Sequence, residues 1–338
     1  MKYILTVSLF IICLLDSTLL KSQQIFQREK LQCDCLKSKI RFDNSSLEKI
    51  VIHPEEILNN PDSFWISDSA YQLVKLWHQR VSIPIPMDQW KTWIQSFKDI
   101  SVEEREKNSQ LIASRNMLKK EKEFNEKAVL YLCSFLPKDC PINTTIYFTT
   151  AIMASGFQME NSIVIYGANS DKDNLFIHEL FHQGFNRYKP INLEKGSKKF
   201  TLNQIYNDLQ NEGMATYVGY RALHEFPNYD PDPKRDDYGF LQDTLIFERL
   251  HDMLNTVLKK VPSLLETERG QKEVQDTLWQ VGSMDRAYYV IGCYMAKVID
   301  EKLGRQALVE TISTGPKSFL HKYNSLVDDK LKVFDIFE

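Results

Sequence analysis

Residues 176–183 read Phe-Ile-His-Glu-Leu-Phe-His-Gln, and no other stretch constrains the chain as tightly. On a helix of 3.6 residues per turn, His178 and His182 lie one turn apart on one face. Two imidazoles so placed can share one metal ion, and zinc is the usual occupant. Glu179, next to the first of them, is a natural general base toward a water activated there. A helix carrying such groups must be packed on its other sides, and Leu175, Phe176, Ile177, Leu180, Phe181 and Phe185 supply that packing. Asp171 or Asp173 is the expected start of this helix and Gly184 its expected stop.

A third ligand is needed, and Asn211-Glu212-Gly213-Met214-Ala215 offers it. Ile205, Leu209, Met214, Val218 and Leu223 follow helical spacing, which predicts a helix over about 203–223. Gly213 and Ala215 would let it approach the first helix closely. Two histidines, one glutamate and a fourth position left to water form a catalytic zinc arrangement, because structural sites close that position with protein. The expectation is one Zn2+ per chain on His178, His182 and Glu212.

These residues carry a resemblance. His178-Glu179-x-x-His182 followed by Asn211-Glu212-Gly213-x-Ala215 resembles the gluzincin metallopeptidases, the thermolysin-like group. The resemblance implies the same zinc ligands, with Glu179 as acid/base. Tyr288 to Ala296 and then Gly304 to Leu308 resemble the little-characterised zinc-peptidase families of that group, so the likeness spans about Thr144 to Tyr323. Nothing before about Pro137 carries it. The implied fold is α+β and predominantly helical: a zincin-like catalytic domain over 141–338, with a short sheet, the His-Glu-x-x-His helix and a glutamate-bearing helix. Residues 23–140 form a helical N-terminal region. The implied substrate is a peptide or protein.

In that family the strand nearest the active helix borders the cleft and pairs with an extended substrate, as an open edge can in general. Thr145–Thr150 and Ser162–Tyr166 are β-branched and aromatic, hence strands, and Ser162–Tyr166 is the candidate edge. Tyr289 is the candidate donor to the oxyanion that grows as water adds to a carbonyl. Asn211 and Asn174 are candidates for orienting the metal ligands.

The remaining sequence sets the context. Lys2 and the apolar run Tyr3–Leu15, shorter than the roughly 20 residues of a membrane span, read as a secretory signal peptide over 1–22. The expected product is secreted, or periplasmic in a bacterium, without a stable membrane anchor. Net charge is −3 and no basic patch points to nucleic acid. Cys33, Cys35, Cys133, Cys140 and Cys293 follow the leader, and Cys133–Cys140 is the expected disulfide. Asn44 and Asn143 stand in glycosylation acceptor patterns.

Further helices are expected around Leu47–Val51 and Tyr71–Trp77, in one long charged segment over Val102–Phe135, and over Leu241–Val261, Gly270–Val281 and Ala287–Leu303. A break falls at Ser82–Pro86. Trp65, Trp77, Trp90 and Trp93 read as core. His224 and His251 read as structural, Arg187–Thr201 as an irregular connector and 227–233 as a surface loop. Three functions follow: a secreted zinc peptidase, a catalytically inactive secreted binding protein of the same fold, or a zinc hydrolase of a non-peptide bond. The retained Glu179 argues against the second.

Overall fold

The computed structural model describes residues 34–81, 83–150, 154–169, 172–188, 198–223 and 237–337. The leader, Cys33, His224 and the 227–233 loop lie outside them, as does much of the Arg187–Thr201 connector. The chain is predominantly helical with one small sheet, an α+β fold.

β1 (Lys39–Asp43) opens the order. It is followed by α1 (Ser45–Ile52), α2 (Pro54–Asn59), α3 (Pro61–Ser67), α4 (Ser69–Val81), α5 (Met87–Lys98), α6 (Val102–Glu106), α7 (Ser109–Lys119) and α8 (Glu121–Leu132). β2 (Asn143–Thr149), β3 (Gly156–Met159) and β4 (Ser162–Tyr166) lead into α9 (Asp173–Phe185) and α10 (Lys198–Ala222). The C-terminal helices are α11 (Asp237–Gln242), α12 (Thr244–Leu264), α13 (Glu268–Leu278), α14 (Ala287–Leu303), α15 (Arg305–Thr314) and α16 (Pro316–Asn324).

The sheet order is β1-β2-β4-β3, with β3 antiparallel to β4 and the other pairs parallel. This corrects the edge assignment: Ser162–Tyr166 is paired on both sides, so its backbone groups are already committed. The edge strand beside α9 is β3, whose outer side pairs with no strand among the described residues; Gly156 and Gln158 mask this short strand in the sequence. β1 was likewise hidden, within a region read as helical. Its Lys-Ile-Arg-Phe-Asp alternation puts Ile40 and Phe42 inward.

Alternation divides the sheet. The register aligns Phe42 with Ile146 and Ile163, and Phe148 with Ile165 and Gly156. That face meets α9: Phe176 packs edge-on against Phe42 at 5.7 Å and Phe148 at 6.0 Å, and Phe124 of α8 closes the cluster at 5.6 Å. Edge-to-face rings set the angle as well as the distance of approach, so the cluster fixes the metal-ligand helix on the sheet. On the opposite face Trp77 of α4 stacks on Phe157 of β3 at 5.2 Å.

Further expectations are corrected. The charged segment Val102–Phe135 is three helices: Ser101 starts the first with a capping box to Glu104, Asn108 starts the second by accepting from the Gln110 and Leu111 amides, and the third begins after Lys120 without a side-chain cap. Leu241–Val261 is divided in the same way, with Asp243 capping α12. Gly184 does not stop α9: a Cβ there would meet Leu136 Cδ2 at 2.8 Å, so this glycine permits packing inside the helix. Cys133 and Cys140 do not form a disulfide; the buried Cys140 thiol donates to the Gly184 carbonyl at 3.2 Å. Asn44 is buried at the start of α1, which leaves no room for a glycan, whereas Asn143 is exposed. No helix among the described residues is long and apolar enough to cross a membrane.

Candidate metal centre

α9 presents His178 and His182 to α10, which presents Glu212. The two Nε2 atoms are 3.0 Å apart, and Glu212 Oε2 lies 3.6 Å from His178 Nε2 and 3.4 Å from His182 Nε2. Among the described residues this is the cluster of three metal-type donors. α10 is packed on α9 on one side and on α14 on the other. A Cβ on Gly292 would fall 2.7 Å from Gly213 Cα and inside the Leu209 carbonyl oxygen, so only paired glycines allow this crossing, and it sets the height of Glu212.

The donor chemistry fits a cation. Asn211 Oδ1 sits 2.9 Å from His182 Nδ1. An amide oxygen only accepts, so His182 donates from Nδ1 and its Nε2 is left to face the other two donors. Two imidazole nitrogens and a carboxylate oxygen converging on one point need a positive charge between them. Without a metal the charge is a proton: burial opposes it, but Glu212 and then Glu179 raise the His182 pKa to about 9. Burial also opposes the Glu212 charge, yet His182 and His178 hold its carboxyl well below the usual range. Imidazole, imidazole and carboxylate together suit zinc.

Glu179 is buried beside them. Its pKa is raised by burial, with His178 and His182 acting in the opposite direction. No donor among the described residues occupies its carboxylate, which suits a base. Gly156, at the start of edge strand β3, lies directly against it: a Cβ there would be 3.5 Å from Glu179 Cγ. The bare backbone brings the strand edge to the reactive carboxylate.

Tyr289 lies beside the candidate metal centre. Its ring is parallel to His178, 9° and 6.2 Å away. Burial and then Glu212 keep its hydroxyl protonated, hence a donor. The neighbouring Tyr288 is core. Asn211 contacts His182, a candidate ligand, at Nδ1, whereas the buried Oδ1 of Asn174 has no hydrogen-bond partner among the described residues. His251 is structural, placed 3.1 Å from the Leu331 carbonyl oxygen.

Sequence reasoning missed Arg286, Asp237, Asn186 and Gln158. Arg286 has φ 71°, packs 3.2 Å over the Tyr289 ring, and binds Asp237 through Nε at 2.8 Å and Nη2 at 2.6 Å. Nothing local in the sequence announces it. Asn186 was visible in principle, since 178, 182 and 186 form one i, i+4 stripe.

A family model described as "Putative zinc dependent peptidase (DUF5700)" matches residues 33–330. No curated protein and no solved structure matches the chain.

Proposed function

The chain belongs to this DUF5700 family, and from that membership we propose a secreted zinc-dependent peptidase of gluzincin type that hydrolyses peptide bonds with Glu179 as general base. The observation carrying the proposal is the convergence of His178, His182 and Glu212 beside a buried carboxylate and an open strand edge.

His178 Nε2, His182 Nε2 and Glu212 would hold the ion. When bound, zinc supplies a Lewis acid that polarises the scissile carbonyl and acidifies water. The chain's own groups do the rest. An extended substrate lies along β3, its backbone pairing with the free edge as an added strand. Gly156 allows that backbone to come close to Glu179. Glu179 takes a proton from the attacking water; its raised pKa keeps it basic enough to accept and acidic enough to release. The same proton then passes to the leaving amine nitrogen, which departs neutral as the C–N bond breaks. Tyr289 Oη–H donates to the oxygen on which negative charge develops. Arg286 pins the Tyr289 ring, and Asp237 pins Arg286.

Export by the 1–22 leader is part of the same proposal, resting on the residue pattern at the N-terminus. The test is Glu179→Gln beside wild type in a peptide-library cleavage assay with zinc content measured in parallel. The proposal expects zinc retained and cleavage lost. Cleavage by pure Glu179→Gln protein would refute it. Zinc bound by wild type with no cleavage of any peptide would favour a zinc hydrolase of another bond or an inactive binding protein.

A further inference from the structure

A line of side-chain amides leaves the metal centre and ends on the sheet. His182 Nδ1 meets Asn211 Oδ1 at 2.9 Å. Asn211 Nδ2 donates to Asn186 Oδ1 at 3.4 Å. Asn186 Nδ2 donates to Gln158 Oε1 at 2.9 Å. Gln158 Nε2 donates to the Glu160 carbonyl oxygen. Glu160 sits at the β3–β4 turn with φ 53°, and Gln183, adjacent to His182, clamps the same turn through the Glu160 and Ser162 carbonyls at 3.3 and 3.1 Å.

The polarity of this line has one solution. A backbone carbonyl can only accept, so Gln158 must turn its NH2 to Glu160 and its oxygen to Asn186. Asn186 must then donate to Gln158 and accept from Asn211. Asn211 must donate to Asn186 and accept from His182. His182 is therefore left to donate from Nδ1, and Nε2 faces the metal position. Aligned in one direction, the amides also polarise one another.

We infer that Asn186 is a positioning residue: it links edge strand β3 to His182, so that one hydrogen-bond line fixes both the orientation of a metal ligand and the place of the strand beside it. The inference rests on the zinc reading and deepens it, because it makes the strand that would hold substrate part of the metal centre's support.

The test is the zinc Kd, by competition with a chromophoric chelator, for wild type, Asn211→Leu, Asn186→Leu, Asn186→Asp and Gln158→Leu, with thermal unfolding of each. Leucine keeps the branched shape of Asn186, with bulkier ends, but ends the line, and outer partners of metal-bound histidine contribute about 10–100-fold in affinity. Asn186→Leu is expected to weaken zinc about tenfold with little change in unfolding temperature. Asn186→Asp still accepts from Asn211 but loses the donor to Gln158 Oε1, so it should weaken zinc less than Asn186→Leu does. A purely packing role predicts the opposite order, the apolar replacement tolerated and the charged one damaging. Gln158→Leu should weaken zinc in the wild-type background and change nothing further in Asn186→Leu. It also serves if Asn186→Leu fails to fold, since Gln158 is only half-buried on a strand. Wild-type affinity in Asn186→Leu or in Gln158→Leu, with Asn211→Leu weakened, would overturn the inference and leave the zinc site standing. Absence of zinc from wild type would overturn the zinc reading and the inference with it.

Discussion

Replacing Gly292 by alanine perturbs the metal centre without touching a ligand. The new Cβ would sit 2.7 Å from Gly213 Cα and still closer to the Leu209 carbonyl oxygen. Carbon atoms rest at about 3.5–4.0 Å, so α10 and α14 must separate by about 1 Å there. Neither obstruction can rotate away, because both are backbone. Overpacking of this kind costs about 1–3 kcal/mol, offset in part by about 1 kcal/mol from the better helix propensity of alanine. The fold should therefore survive with a small loss of stability. The site should not. Glu212 follows Leu209 by one turn and adjoins Gly213, and its Oε2 lies 3.4 Å from His182 Nε2. A ligand distance is about 2.0–2.2 Å, so a 1 Å shift of the helix is half a bond. Misplacement on that scale can cost about 100-fold in turnover, or about 2.7 kcal/mol. The assays are zinc Kd by chelator competition, peptide turnover and thermal unfolding. Gly213→Ala should behave alike, and the double variant should fall short of the sum, because both open one contact. Gly292→Ala with wild-type zinc affinity and turnover would refute the claim that this crossing holds Glu212.

Four other outcomes are expected. Tyr289→Phe should lower kcat about 100-fold with zinc content and stability intact; unchanged kcat removes the tyrosine from the reaction. Arg105 is buried and donates to the Ile52, Phe97, Lys98 and Ile100 carbonyls, so Arg105→Ala should lower unfolding stability by about 3 kcal/mol as those acceptors lose their donor; a chemical-denaturation midpoint equal to wild type would contradict this. With its pKa raised to about 9 from the ordinary 6.5, His182 in the metal-free protein holds its proton near neutral pH, so zinc binding there should release about one proton and weaken as pH falls; calorimetry in buffers of different ionisation enthalpy would show no buffer dependence if the assignment were wrong. Because Cys133 and Cys140 are not linked to each other, non-reducing peptide mapping should yield no peptide that joins them, and such a peptide would restore the disulfide.

The ligand constellation was legible because each part is local: a helix period, a glycine next to a glutamate, an asparagine before it. α14 and β4 were legible for the same reason, Gly304 at φ 85° ending the helix and Ile163-Val164-Ile165 filling a strand covered on both faces. What escaped depends on distance in the chain. β1 pairs with β2 across about a hundred residues, and no window near Lys39 contains its partner. Which strand forms the edge is a property of sheet order, so Ser162–Tyr166 could look like an edge while lying between β2 and β3. Arg286 gains meaning only where α11 brings Asp237 to it. Cys133 and Cys140 are close in sequence, but the Cys140 thiol is turned to the Gly184 carbonyl, 44 residues away in the chain.

The most direct measurement is metal content by mass spectrometry of purified protein carrying residues 23–338, wild type beside His182→Ala. The account predicts about one zinc per wild-type chain and its loss in the variant while the circular dichroism stays that of a folded helical protein. Folded wild type without zinc after metal is supplied, or a variant that keeps zinc at the wild-type level, would contradict it.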